Sequence, residues 1–277
     1  MRQPLDISEI EKIGDQIDGM DMRYIVPGLL RGLSILQLFT LNRPELTLTE
    51  IAAALGLTRS ATYRLTYTLE TTGFLLRSEE TKRYRVSGLV LSLGFEYLQS
   101  REIVEVAQTV LQRLSTATQA ASYLTELDGT DALHIARAVP KAPLVSNLQV
   151  GRRLPAHATA TGRIILAYRP DDELQQYFDA ALRAPSDGVA QPPESLESLI
   201  AVARADRARG YILHPSIYEP QVTSIAMAIL DPKGRSVAAI NFVAPHHLFD
   251  RIGGETKAVG FITTAAEELM SALGFRR

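Results

Sequence analysis

The residues best equipped to do chemistry form one face of a short run, Thr58–Thr72. At about 100° per residue, with Leu65 turned inward, Ala61, Thr62, Thr68, Leu69 and Thr72 are expected within about 60° of it. Ser60, Tyr63 and Tyr67 then project from the opposite side, flanked by Arg59, Arg64, Thr66 and Glu70. That outer face holds donors suited to phosphate oxygens and base edges, and an arginine can pair bidentately with guanine O6 and N7. A solvated helix face has the same composition, so the face alone does not separate the two. A second group of cations, Lys82, Arg83 and Arg85, falls in a segment that reads as strand, polar turn, strand. Cations on a hairpin suit a phosphate backbone or a minor groove, and they also guard an edge strand against mispairing. Arg31 and Arg43 are further candidates for phosphate contact.

Other reactive constellations are absent from the sequence. It contains no Gly-x-Ser-x-Gly elbow, no Walker A loop and no His-Glu-x-x-His. The neighbours His246 and His247 cannot place both rings on one metal as two histidines four apart on a helix can. Asp171, Asp172 and Glu173 follow Pro170 and read as the acidic first turn of a helix. With no cysteine, disulfides, thiolate nucleophiles, Cys-ligated zinc and iron–sulfur clusters are excluded. No cofactor, metal or catalytic residue is therefore expected.

Composition sets the scale. The 277 residues suggest about two domains, and 46% hydrophobic with 22% charged residues is ordinary for a globular chain. No apolar run reaches the ~18 residues of a membrane span, and the acidic N-terminal stretch has no signal-like apolar core. No membrane association and a cytoplasmic location are expected. The net charge of −2 conceals a segregation. Residues 1–22 carry −4, residues 23–90 carry +4, and residues 91–277 carry −2. A basic module inside an acidic chain points to polyanion contact by one part only.

The elements that would position these groups follow from spacing. Apolar residues from Leu29 to Phe39 recur with helical period after Pro27, and Pro44 ends that helix. Thr47 with Glu50 makes a capping box for a helix over Leu48–Leu55, closed by Gly56. Thr58 caps the third helix, which Gly73 closes. Two helices joined by a short Gly-containing turn fit a helix-turn-helix, and the hairpin Phe74–Val86 behind it fits a wing. Leu89–Ala117 reads as one or two helices broken near Gln99–Arg101. Strands are expected at Ser122–Leu127, Ala132–Val139, Leu144–Val150, Tyr211–His214, Val222–Leu230 and Ser236–Val243. Helices are expected at Ala158–Tyr168, Ser195–Arg209 and Thr256–Leu273.

Assembled, the chain resembles the IclR-type transcriptional regulators from Val26 to its end. The resemblance is carried by LLRGLSILQLF and LTLTEIAAALGLTRSATYRLTYTLETTGFL, and by YRVSGLVLSLGFEYL. In the second half, RRLPAHATATGRIILA matches the family's Pro-x-His-Ala-x-x-x-Gly-Lys segment, with Arg163 in place of Lys. RGYILHPSIYEPQVTSIAMAILDPKGRSVAAINF matches its Arg-Gly-Tyr to Ala-Ala stretch, but without the usual acidic cluster and glycine after Tyr211. The resemblance implies a winged helix-turn-helix that binds double-stranded operator DNA and a GAF-like domain that binds a small organic acid, commonly a catabolic intermediate and often an aromatic carboxylate. It also implies homodimers or homotetramers. By match to the family, the backbone amides of Ala160 and Thr161 at a helix start face the effector, and His214, Ser224 and Asn241 line its pocket. Missing acidic residues would favour an anionic guest, and Leu148, Val222 and Ile225 are candidate apolar walls. His157 is expected to be structural.

The expected architecture is α+β. It comprises an acidic flexible tail (1–22), a winged helix-turn-helix (23–90), a linker helix (91–118) and a GAF-like α/β domain for effector binding and oligomerisation (119–277). Arg59, Ser60, Tyr63, Arg64, Tyr67, Lys82 and Arg83 are the expected DNA contacts, and the function is transcriptional regulation controlled by a small acid. A regulator whose second domain only oligomerises is the alternative, with a small-molecule hydrolase well behind.

Overall fold

Threonine hydroxyls set the starts of two helices in the first unit, at Thr47 and Thr58. The computed structural model describes residues 24–140, 146, 148–183, 190, 191 and 193–275, so the acidic tail lies outside the described residues. Helix α1 spans Pro27–Gln37, α2 Leu48–Ala54 and α3 Arg59–Thr71. At α2 the Thr47 hydroxyl accepts from the Glu50 amide at 3.3 Å, and the Glu50 carboxylate accepts from the Thr47 amide at 2.7 Å. This closed capping box satisfies two amides that the helix cannot. The Thr58 hydroxyl accepts from the Ala61 amide and starts α3. Between the two helices the chain turns at Gly56, whose φ of +62° favours glycine. Strands β1 (Leu75–Arg77) and β2 (Tyr84–Val86) form the hairpin, with Leu76 opposite Arg85. Ile35, Leu38, Leu46, Ile51, Leu75 and Tyr84 make the core of this unit.

The inward face of α3 is rotated from the expected one. Thr62 and Thr66 are fully buried, Leu65 is half-buried, and Thr68 and Thr72 are exposed. Thr66 therefore does not flank the outer face. The two buried hydroxyls donate to the carbonyls of Thr58 and Thr62 at 3.0 Å. Satisfied locally, they enter a core without desolvation loss.

Helices α4 (Leu89–Gln99) and α5 (Glu102–Thr118) occupy the expected linker segment, and the boundary between two compact units falls after Leu98. The second unit holds a six-stranded antiparallel sheet in the order β5-β4-β3-β8-β7-β6. Its strands are β3 (Ala121–Asp128), β4 (Asp131–Ala138), β5 (Arg153–Pro155), β6 (Ile212–Pro215), β7 (Val222–Leu230) and β8 (Ser236–Pro245). Helices α6 (Ala160–Leu166), α7 (Asp171–Arg183), α8 (Leu196–Arg209), α9 (His246–Arg251) and α10 (Gly254–Ala272) complete the unit. Helix α5 lies on one sheet face, where Ser122 donates to the Leu111 carbonyl, and packs against α10. Helix α6 covers the other face, with Ile164 and Ile165 clustered on Ala226 and Ala239. Two expectations need correction. Of the strand expected at Leu144–Val150, the described residues Ser146, Leu148 and Gln149 have no strand pairing, and Val150 lies in a turn. The fifth strand is Arg153–Pro155, a three-residue edge too short to show alternation. Helix α9 was also not expected from the sequence.

Behind β5, Ala156–Ala158 form a single 3₁₀ turn that runs straight onto the first turn of α6. A Cβ on Gly162 would stand 2.2 Å from the Ala156 carbonyl oxygen and 2.3 Å from its Cα. Backbone atoms cannot step aside as a flexible side chain would. Gly162→Ala is expected to destabilise the fold by at least about 2 kcal/mol, read as a lower urea midpoint at unchanged slope. An unchanged midpoint would show that the turn and helix separate at little cost.

Candidate functional site

Two groups of residues stand out, one in each unit. On α3, Arg59, Ser60, Tyr63, Arg64 and Tyr67 are all exposed. The Tyr63 and Tyr67 rings, 47% and 56% exposed, lie 6.1 Å apart one helical turn from each other. Two aromatic side chains and two guanidinium groups thus share a face that the described residues leave exposed. The hairpin cations are less free than the sequence suggests. Lys82 pairs with Glu79 at 3.0 Å. The Arg83 guanidinium donates to the Glu45 carbonyl and to the Glu50 carboxylate, each at 3.3 Å, and so ties the hairpin to the capping box of α2. Arg85 is exposed on β2. Glu50 is held below the usual carboxylate range, first by the Thr47 amide and hydroxyl and then by the Arg83 and Arg43 charges. Arg31 is half-buried and Arg43 exposed.

In the second unit the register decides which side chains meet. Tyr123 pairs with Asn241, Thr125 with His134, and His214 with Ser224. Side chains alternate along strands, so Tyr123, Thr125, His134, Asn241, Ser224 and His214 all share the α6 face of the sheet. Ala160 and Thr161, the first residues of α6, border the same cavity. The structure therefore brings Ala160, Thr161, His214, Ser224 and Asn241 together around one space, although they come from four elements. Leu148, Leu154 and Val243 supply apolar wall, and the segment Ser216–Glu219 forms another side.

The electrostatics differ from expectation in two respects. The Glu219 carboxylate stands on the wall, so the segment after Tyr211 does bring negative charge to the cavity. No Lys or Arg lines it among the described residues. Helix α6 has only seven residues, and Thr159 caps it by accepting from the Gly162 amide at 3.0 Å. Its first-turn amides at Ala160 and Thr161 lack intrahelical acceptors, but so short a helix contributes little dipole. His214 is exposed and donates Nδ1–H to the Pro215 carbonyl at 2.5 Å, leaving Nε2 for other partners. Ile225 pairs with Phe242 and faces away from the cavity, while Val222 is buried beside it with Tyr123, Val243 and Leu148. His157 is held by Tyr177 and by the Gln191 carbonyl, as a structural histidine would be.

Sequence reasoning missed His134. Its ring is 3% exposed, and its Nδ1 lies 2.8 Å from the Thr125 hydroxyl. Burial, with help from the nearby Arg152 charge, lowers its pKa to about 4, so it is neutral near pH 7. Its Nε2 has no partner among the described residues, and neither does Oδ1 of Asn241. The only available signal was a histidine inside a mostly apolar strand, which says nothing of where the ring ends.

Comparison with known proteins agrees over both units. Residues 28–79 match the IclR helix-turn-helix domain, and residues 95–271 match the bacterial transcriptional regulator IclR C-terminal domain. The chain is 35% identical over 215 residues to the Pca regulon regulatory protein of Pseudomonas putida, spanning 77% of this chain and 72% of the relative. It is 29% identical over 242 residues to the p-hydroxybenzoate hydroxylase transcriptional activator of Acinetobacter baylyi, spanning 82% and 86%. An IclR homolog from Microbacterium hydrocarbonoxydans, solved in complex with 4-hydroxybenzoate, shares the fold. Its TM-score is 0.71 at 21% identity, over 89% of this chain and 99% of that one. With both of its units matched, the chain belongs to the IclR family of bacterial transcriptional regulators, DNA-binding proteins rather than enzymes.

Proposed function

We propose that this protein is a homo-oligomeric regulator, acting on operator DNA in the cytoplasm, whose second unit takes a small organic acid of a catabolic pathway, an aromatic carboxylate in particular. The observation that carries the ligand reading is the convergence of α6, β6, β7 and β8 on one cavity rimmed by hydrogen-bonding groups. In this reading the Ala160 and Thr161 amides and His214 take the carboxylate. Ser224 and Asn241 give direction, and Leu148, Leu154 and Val243 hold a ring or short chain. The aromatic class is supported by the A. baylyi relative, whose name ties it to p-hydroxybenzoate hydroxylase. A thermal-shift panel of aromatic and aliphatic carboxylates against amides and neutral sugars tests this. A ligand at a hundredfold excess over its Kd should add about 2.7 kcal/mol. Stabilisation by sugars with none by any carboxylate overturns the reading.

For the first unit, α3 lies in the major groove of DNA and reads base edges, while the hairpin contacts phosphates. Arg59→Ala or Arg64→Ala should cost about 1–3 kcal/mol of operator binding and relax sequence preference. Lys82→Ala and Arg83→Ala should weaken binding to every sequence and flatten its salt dependence. The Arg83 change should also lower stability, since it releases Glu50. Equal affinity of the wild type for its own promoter and for random duplex at moderate salt would contradict this.

The assembly reading rests on an apolar helix that the described residues leave largely exposed. No residue of α4 is buried, and Leu91, Leu93 and Phe95 are 73%, 62% and 53% exposed. Leu29 and Leu33 of α1 are likewise exposed. Side chains of this kind call for a second surface, and a two-fold partner would also let two copies of α3 read a palindromic operator. A homodimer through these helices is expected, joined into tetramers through the second unit. Leu91→Glu with Phe95→Glu should shift sedimentation to smaller species. A stable wild-type monomer at micromolar concentration would defeat the proposal.

A further inference from the structure

Two deeply buried hydrogen-bonding side chains on the sheet side of the cavity support a finer statement about the ligand, one that rests on the organic-acid reading above. His134 is clamped on every side. Its amide donates to the Arg152 carbonyl at 3.0 Å, and its own carbonyl accepts from Gly151 at 2.8 Å. Its Nδ1 is engaged with Thr125, itself fully buried, and its ring lies 5.3 Å from that of Tyr123. The imidazole is thus held with Nε2 as its remaining polar atom. Asn241, 2% exposed, donates from Nδ2 to the Ser224 hydroxyl at 3.0 Å, which leaves Oδ1. Both atoms are buried without a partner among the described residues, and both residues line the cavity. Leaving a buried polar atom unsatisfied is costly, so such atoms call for a specific explanation.

The chemistry of the missing partner can be narrowed. Asn241 Oδ1 accepts only, so it requires a donor. His134 Nε2 donates or accepts according to which proton Nδ1 shares with Thr125. One hydroxyl satisfies the pair when Nδ1 accepts from Thr125 and Nε2 keeps the proton: it accepts from Nε2–H and donates to Asn241 Oδ1. A charged group does not suit this place. The imidazole is neutral, no Lys or Arg lines the cavity among the described residues, and the Arg152 charge that acts on His134 would oppose a cation there. A carboxylate at this point has no proton to give Asn241 Oδ1. A methyl or aromatic C–H would leave both atoms unpaired.

We propose that the effector carries, apart from its carboxylate, a neutral hydroxyl group that binds His134 Nε2 and Asn241 Oδ1 together. The protein then selects hydroxy acids over their unsubstituted or methylated counterparts. A site built to bond a hydroxyl rejects the analogue that lacks it far more strongly than an apolar pocket rejects a change of one methylene.

The test uses the full-length protein and isothermal titration with two isosteric pairs, 4-hydroxybenzoate against 4-methylbenzoate and 4-hydroxybutanoate against pentanoate. In the pair whose skeleton the cavity accepts, the hydroxylated member should bind at least about tenfold tighter. Asn241→Leu and His134→Phe should each reduce that preference to less than about threefold while the methyl member still binds. Circular dichroism of each variant checks that it folds, and the Asn241 variant decides the matter if the His134 variant does not. His134→Gln, which keeps a polar atom, should restore part of the preference. Equal binding of both members by the wild type overturns the hydroxyl proposal but leaves the organic-acid reading standing, as does a preference that survives in the variants. Binding of none of the four acids overturns the organic-acid reading and the hydroxyl proposal with it.

Discussion

The second unit is registered by the contact between Gly162 and Ala156. Because Gly162 has no side chain, the 3₁₀ turn Ala156–Ala158 lies directly on the first turn of α6, at a separation no other residue allows. The Thr159 cap then fixes where the helix begins. Arg163, next in the chain, makes a two-point bond with Asp206 of α8, at 3.0 and 2.8 Å. Turn, cap and ion pair leave α6 one position over the sheet. The placement of Ala160 and Thr161 opposite Ser224 and Asn241 follows from that seat. A shift of one residue along α6 would turn both away by about 100°.

What α6 covers is an uneven surface. Toward β6, β7 and β8 it meets Ile212, Ala226 and Ala239, small and apolar, and packs closely with Ile164 and Ile165. Toward its own start the same sheet face carries imidazole, amide and hydroxyl groups. Burying these is unfavourable unless they are paired. Thr125 with His134 and Asn241 with Ser224 satisfy half of that demand inside the sheet. The remainder makes this region a cavity rather than core. Stability and recognition therefore divide one sheet face between them.

In the first unit hydroxyl groups do comparable work on a smaller scale. Thr47 and Thr58 start helices, and Thr62 and Thr66 enter the core by bonding their own backbone. That leaves the outer face of α3 to Arg59, Ser60, Tyr63, Arg64 and Tyr67. Arg83 joins the hairpin to α2 through Glu50, so a cation that looks from the sequence like a ligand group is also a strut.

Much of this was legible in the sequence because it depends on neighbours along the chain. Capping at Thr47 and Thr58, the break near Ser100, the limits of β7 and the glycine stop after α8 are all local, and local chemistry is written in consecutive residues. The five cavity residues were reached by resemblance, not by spacing. Where local rules compete, the sequence misled. An ideal helical wheel centred on Leu65 turned Thr68 and Thr72 inward, whereas the packed face runs through Thr62 and Thr66. That Ser146, Leu148 and Gln149 pair with no strand, and that β5 is short, depends on which edge offers a partner. The state of His134 lay furthest from reach. Its neighbours Thr125 and Tyr123 come from another strand, and the Ile135 bulge in the β3–β4 pairing sets which way its ring faces. The chain by itself determined which residues are able to bond, cap and turn. Only the tertiary structure decided which of those bonds stay unmade, because an unpaired atom is a property of everything around it.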